Sequence, residues 1–166
     1  MQQVNYQQNS YHYQDDSQYT SKKDFDQVVQ TYLNNLSSKK RDKALVSQQQ
    51  YRLILKVLQE PKNTSISTAQ FRFWVKKMFQ LVVPPPSRHN SNNGEPIVYH
   101  DQKPVAIKER IYDILLWAHR QSHHGGRDKT SALVRRKFSW IPKELVARFV
   151  RYCPYCVTRR NGHLNM

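Results

Sequence analysis

Three histidines, His119, His123 and His124, fall within six residues of one another. The chain's only two cysteines, Cys153 and Cys156, follow in the stretch RYCPYC. Imidazole nitrogen and thiolate sulfur are donors that a structural zinc ion takes four at a time, in a tetrahedron. Two ligands a few residues apart form one short loop, and a second close pair further along closes the site. His119 with either His123 or His124 supplies one pair; Cys153 and Cys156 supply the other. Positions i and i+4 share a helix face, whereas i and i+5 require the helix to end between them. Gly125-Gly126 favours such an end. Taken singly, the cysteines read as small buried side chains and the histidines as a solvated loop. Their conjunction points to zinc, because the segments joining them are too short to bury a large core, and there metal binding supplies folding free energy. A thioredoxin-like use of C-P-Y-C needs the motif to open a helix after a strand; here it follows a helical pattern.

The elements that must position these donors are mostly helical. Ile107, Ile111, Ile114, Leu115 and Ala118 form a stripe that runs into His119, with Pro104 at the first helical position. Asp128 caps a helix through Lys137, buried by Leu133 and Val134. Phe138, Trp140 and Ile141 then cross the core. Pro142 opens a last helix with Leu145, Val146, Phe149 and Val150 inward, and it ends at Cys153.

Upstream, Phe25, Val28, Val29, Tyr32, Leu33 and Leu36 recur at helical spacing, followed by a polar break, SSKKRDK. A second helical run covers 47–60, with Ser47 as N-cap and Pro61 as stop; Tyr51, Ile54, Leu55 and Leu58 line one face. A third carries Phe71, Trp74, Val75 and Met78, with Ser67 and Gln70 fitting a capping box, and proline at 84 stops it. The run IVYHDQKPVAI (97–107) reads as a small hairpin. The first 23 residues are rich in Gln and Tyr and poor in aliphatic side chains, which predicts a disordered tail.

The expected fold is therefore mainly α. A small N-terminal helical module and a helical His2Cys2 zinc-binding domain are joined by a short β-hairpin. The expected organisation is a tail over 1–23, a helical module over 24–83, a linker over 84–96 and the zinc-binding domain over 97–161. Three short helices make a marginal core, so the module is expected to lean on the C-terminal part.

Charge narrows the partners. The chain has 27 Lys and Arg against 12 Asp and Glu, and residues 105–163 hold thirteen against four. Such a surface attracts polyanions. No stretch of 18 apolar residues offers a membrane span, and the N-terminus lacks the features of a secretory signal, so an intracellular place is expected. Two groups, Arg127, Lys129, Arg135, Arg136, Lys137 and then Arg148, Arg151, Arg159, Arg160, are candidates for nucleic-acid contacts. Phe73, Trp74 and Phe79 lie among Arg72, Lys76 and Lys77; core packing is the simpler reading and base stacking the alternative. KKRDK (39–43) has the composition of a nuclear-import signal.

The order of these residues resembles the His2Cys2 zinc-binding domain of retroviral and Ty3/Gypsy-type integrases. His124 through Thr130 matches its His-x-Gly-x-x-Lys-Thr segment. Trp140 with Pro142 matches the next, and Tyr152 through Cys156 matches the knuckle. His119 falls where that family's first histidine belongs, so the resemblance makes His124 rather than His123 the second ligand. It implies zinc held by His119, His124, Cys153 and Cys156. QYRLILKVLQEP and FRFWVKKMFQL resemble the N-terminal part of the nucleolar protein 4 family, which implies a nuclear, non-enzymatic protein. Fungal His2Cys2 zinc-finger regulators are similar by domain type.

Integrases follow this domain with a three-carboxylate catalytic core, and none follows within these residues. Glu109, Asp113, Asp128 and Glu144 have ordinary helical explanations, and no nucleophile–base pair or phosphate cradle stands out. The expectation is a nuclear, DNA-binding regulator of transcription or chromatin, with no enzymatic activity and no small-molecule substrate. Alternatives are a multimerisation or protein-interaction module, with a homo-oligomer or nuclear protein as partner, and a non-catalytic, retrotransposon-derived remnant.

Overall fold

The structure, a computed structural model, describes residues 16–85 and 94–162. Helix α1 (Lys22–Asn34) starts where the Ser21 hydroxyl accepts from the Asp24 amide at 3.1 Å, and it buries Phe25, Val28 and Val29. The expected polar break is instead a short helix, α2 (Ser38–Ala44). Its Arg41 guanidinium reaches back to the Leu33 and Leu36 carbonyls at 2.9 and 3.0 Å, satisfying acceptors at the end of α1. Helix α3 (Gln48–Gln59) begins as expected at Ser47, whose side chain accepts from the Gln50 amide. Helix α4 (Ala69–Met78) is capped by Thr68, not Ser67; Ser67 sits at φ +54°, and the Thr68 side chain accepts from the Phe71 amide. The capping signal was displaced by one residue.

Helix α4 stops at Met78 rather than running to the prolines. Gln80–Val82 forms strand β1, paired antiparallel with β2 (Ile97–His100), with Leu81 opposite Val98. Tertiary pairing here overrides helical continuation. The expected hairpin is present: β2 pairs with β3 (Lys103–Pro104), and the turn residues Asp101 and Gln102 have φ of +50° and +63°, the hand that suits a two-residue hairpin loop. Pro104 therefore ends a strand and does not open a helix. A 3-10 turn at Lys108–Arg110 leads into α5 (Ile111–Gln121), so Ile107 lies outside the helical stripe. Helices α6 (Arg127–Lys137), α7 (Lys143–Tyr152) and α8 (Pro154–Gly162) complete the chain's described part; α7 ends at Cys153 as expected but is not the last helix. The protein is mainly α, with one small antiparallel sheet.

Among the described residues two large hydrophobic cores form beside a small cluster of Val150, Cys153 and Cys156, and packing crosses the expected 24–83 and 97–161 boundaries. Phe25, Val28, Val29 and Leu45 join Ile111, Ile114, Leu115, Ala118, Val134, Leu145, Val146 and Phe149. Val46, Ile54, Val57, Ile66, Val75 and Phe79 join Val98 and Val105. Adjacent Leu45 and Val46 thus enter different cores. Trp140 packs on the second core and donates its indole N–H to the Lys43 carbonyl at 3.2 Å. The Glu109 carboxylate accepts from the Gln48 amide at 3.0 Å.

Residues 16–23 also depart from expectation. Residues 1–15 and 86–93 lie outside the described residues, but Asp16–Gln18 forms a 3-10 turn and Thr20 is buried. Aliphatic content missed this segment because its anchors are a tyrosine ring and polar groups.

Phe149 is fully buried and packs edge-on against Phe25 at 5.8 Å. Phe149→Ala is expected to cost about 3–5 kcal/mol in urea unfolding, whereas Phe73→Ala, at a side chain 71% exposed, should change stability by about 0.5 kcal/mol or less. Equal losses from the two would contradict this core assignment.

Candidate metal centre

The stripe Ile111, Ile114, Leu115 and Ala118 buries one face of α5 and carries His119 into the interior in the helix's last turn. The helix then ends, and His123 and His124 adopt left-handed φ of +51° and +57°. This reversal returns the His124 amide to the His119 carbonyl at 3.0 Å. It buries His124 and leaves His123 exposed. Gly125 permits the close turn: a Cβ there would lie 2.9 Å from that of Ser122. Helix α7 delivers Cys153 at its C-terminal cap, and the first turn of α8 delivers Cys156; both are buried, free thiols.

Ligand atoms of His119, His124, Cys153 and Cys156 lie within 4.8 Å of one another, and all four residues are buried. His119 Nε2 is 3.2 Å from His124 Nδ1. Cys153 Sγ is 3.3 Å from His124 Nδ1, and Cys156 Sγ is 3.3 Å from His119 Nε2 and 3.9 Å from His124 Nδ1. A zinc tetrahedron with bonds of about 2.0–2.1 Å to nitrogen and about 2.3 Å to sulfur has ligand–ligand edges of roughly 3.3–3.8 Å. The donor set therefore fits zinc in type, and the four separations of 3.2–3.9 Å lie close to those edges. Zinc supplies a cross-link among α5, the turn after it, α7 and α8.

The surroundings fix which nitrogen faces the cluster. The Thr130 hydroxyl donates to the Gly125 carbonyl at 3.2 Å, which leaves its oxygen to accept from His119 Nδ1–H, also at 3.2 Å. His119 Nε2 is then the ligand nitrogen. Thr130 stood in the sequence match without an assigned role; its burial amid an otherwise charged helix segment is what reveals one. Arg159 donates to the His124 carbonyl at 2.9 Å and lies 3.9 Å from Cys156 Sγ. That candidate nucleic-acid residue is engaged at the centre.

Burial, aided by neighbouring His124 and Arg159, holds His119 down at about 4, so it is a neutral ligand at pH 7. Burial and then Arg159 lower His124 as well. Burial, followed by the nearby Cys153, pushes the Cys156 thiol up to about 11 when no cation is present. A bound dication reverses that preference.

The other expected cations are distributed over the surface. Arg127, Lys129, Arg135, Arg136 and Lys137 are exposed on α6; Arg127 pairs with Asp128, and Lys137 lies over the Trp117 ring. Arg148 is half-buried and pairs with Glu144 at 2.9 Å. Arg160 donates to the carbonyl of exposed Arg151. Arg127 and Arg135 line a groove of about 460 Å³ between α6 and α7, together with Lys143, which sequence reasoning did not single out. Trp74 and Phe79 belong to the second core, and Phe73 is exposed.

Residues 108–162 match the family model described as integrase zinc binding domain. That region, with its four buried donors, is similar to the integrase His2Cys2 zinc-binding domain. The match reaches further upstream among curated proteins: the chain is similar to nucleolar protein 4 of Homo sapiens, 27% identical over 143 residues, covering 72% of this chain and 22% of that protein. Nucleolar protein 4 of Mus musculus matches at the same identity, with 29% of its length covered. The chain thus spans less than a third of the curated relatives it matches. No solved structure matches it.

Cys156→Ser and His124→Ala are each expected to abolish stoichiometric zinc retention and lower helix content, whereas His123→Ala keeps one zinc per chain; elemental analysis and circular dichroism read both. Loss of zinc in His123→Ala with retention in His124→Ala would reverse the ligand assignment. His119 also sets a pH dependence. Its folded pKa lies below the ordinary 6.5, so between pH 6.5 and about 4 the unfolded chain binds more protons. Stability is full above 6.5 and falls as pH drops through that window, with proton competition for zinc acting in the same direction. Urea midpoints that stay flat from pH 7 to 4 would contradict it.

Proposed function

We propose that this is a nuclear zinc-binding protein that binds duplex DNA and acts in transcription or chromatin regulation, without enzymatic activity. The observation that carries this reading is α6: five exposed cations on an eleven-residue helix. Val134 of α6 enters the core and Thr130 lies behind the metal cluster, which anchors the helix. A rigid basic helix of this kind gives salt-dependent phosphate affinity. Zinc in this account is structural: His119, His124, Cys153 and Cys156 fill its four positions and leave none for a substrate. The nuclear assignment rests on the name of the matched relatives and on the basic run in α2, where Lys39, Lys40 and Lys43 are exposed.

A second reading, a protein-interaction or multimerisation module, is favoured by Phe73, an aromatic side chain 71% exposed on α4. The two separate in one experiment. Zinc-loaded protein is titrated with duplex DNA across salt, beside an Arg135→Ala/Arg136→Ala double variant that retains zinc. Removing two phosphate contacts is expected to reduce the salt slope by about two. An unchanged slope would remove α6 from the interface. Concentration-dependent self-association without DNA binding would favour the second reading.

A further inference from the structure

Residues 16–21 lie far upstream of the matched zinc-binding region, yet they pack on its ligands. The Tyr19 ring stacks on His124, with centroids 4.5 Å apart and planes 13° from parallel, and meets His119 edge-on at 5.9 Å. The Gln18 carbonyl oxygen is 3.0 Å from Cys153 Sγ. The buried Thr20 hydroxyl donates to the Phe149 carbonyl at 2.7 Å, and the Tyr112 hydroxyl donates to the Thr20 carbonyl at 2.9 Å. Asp16 pairs with Arg120, whose guanidinium lies 5.2 Å over the Tyr19 ring. At the other end, Ser21 caps α1, and Phe25 locks that helix into the first core.

We propose that residues 16–21 are a cover for the zinc site, with Tyr19 as a positioning residue that shields the His124 ligand and slows metal exchange. A chelator removes zinc by approaching the ion as a ligand swings away. Tyr155 also lies against the His124 imidazole, at 4.3 Å and tilted by 31°, and the Tyr19 ring stacked face to face on it opposes both steps: it helps to hold the imidazole plane and excludes the attacking ligand. Outer contacts of this type tune metal sites strongly. A metal-bound Cys153 thiolate has no proton to give the Gln18 carbonyl, so the Thr20 bonds, the Asp16–Arg120 pair and the Tyr19 stack hold the cover in the loaded protein.

This inference rests on zinc ligation by the four named residues. The 166-residue chain is loaded with zinc, its stoichiometry is checked, and release to excess chelator is followed by stopped flow for the unaltered chain, Tyr19→Ala and Tyr19→Phe. Tyr19→Ala is expected to release zinc about tenfold faster or more with helix content retained, and Tyr19→Phe, which keeps the ring, to stay within about twofold. One zinc per chain with Tyr19→Ala releasing at the unaltered rate would overturn the cover while leaving the ligand set intact. No zinc on the unaltered chain would overturn both. Should Tyr19→Ala not fold, hydrogen exchange on the unaltered chain decides. Protection at residues 18–21 that disappears on chelation supports the cover, and absence of protection in the zinc-loaded protein overturns it.

Discussion

Four donor atoms of metal-ligating type converge on one point in the interior, and the C-terminal architecture depends on that convergence. A ring nitrogen faces another ring nitrogen at 3.2 Å, and two sulfurs close on them. As a set of neutral side chains, this cluster is a poor hydrogen-bond network, and buried polar groups left short of partners are costly. With a dication at its centre, each lone pair is used. The ion then links the end of α5, the turn after it, the cap of α7 and the start of α8, which are joined to one another by short connections.

The rest of the fold supplies the approach to that point. The α5 stripe and the inward face of α7 share a core with α1, so the N-terminal helix belongs energetically with the zinc-binding region. Leu45 and Val46 then divide the chain between two interiors, one around the metal-proximal helices and one between α3, α4 and the sheet. Trp140 and Glu109 stitch the two together through backbone groups of Lys43 and Gln48. Arg159 shows how charge is shared between roles: it satisfies the His124 carbonyl beside the cluster, while the cations of α6 stay on the surface.

Much of the site was legible in the sequence because metal ligation constrains residue type and spacing so tightly. The i to i+5 separation of His119 and His124 demands a helix end, and α5 ends between them. Long periodic runs such as Leu145, Val146, Phe149 and Val150 were also legible, since burial on one face imposes their spacing. What escaped were features decided by partners distant in sequence. Strand β1 exists because β2 pairs with it; α2 is tied to the end of α1 by Arg41; Thr130 takes its role from a histidine on another helix. The segment around Tyr19 escaped for a related reason. Composition measures apolar content, and this segment is fixed instead by ring stacking, an ion pair and two hydrogen bonds at Thr20, one of them buried.

The most direct test of a His2Cys2 zinc centre is X-ray absorption at the zinc edge on the purified, stoichiometrically loaded full chain. Two sulfur neighbours near about 2.3 Å and two nitrogen neighbours near about 2.0–2.1 Å are expected. A shell of light atoms only, a four-sulfur shell shared between chains, or a chain that retains no zinc would contradict the account.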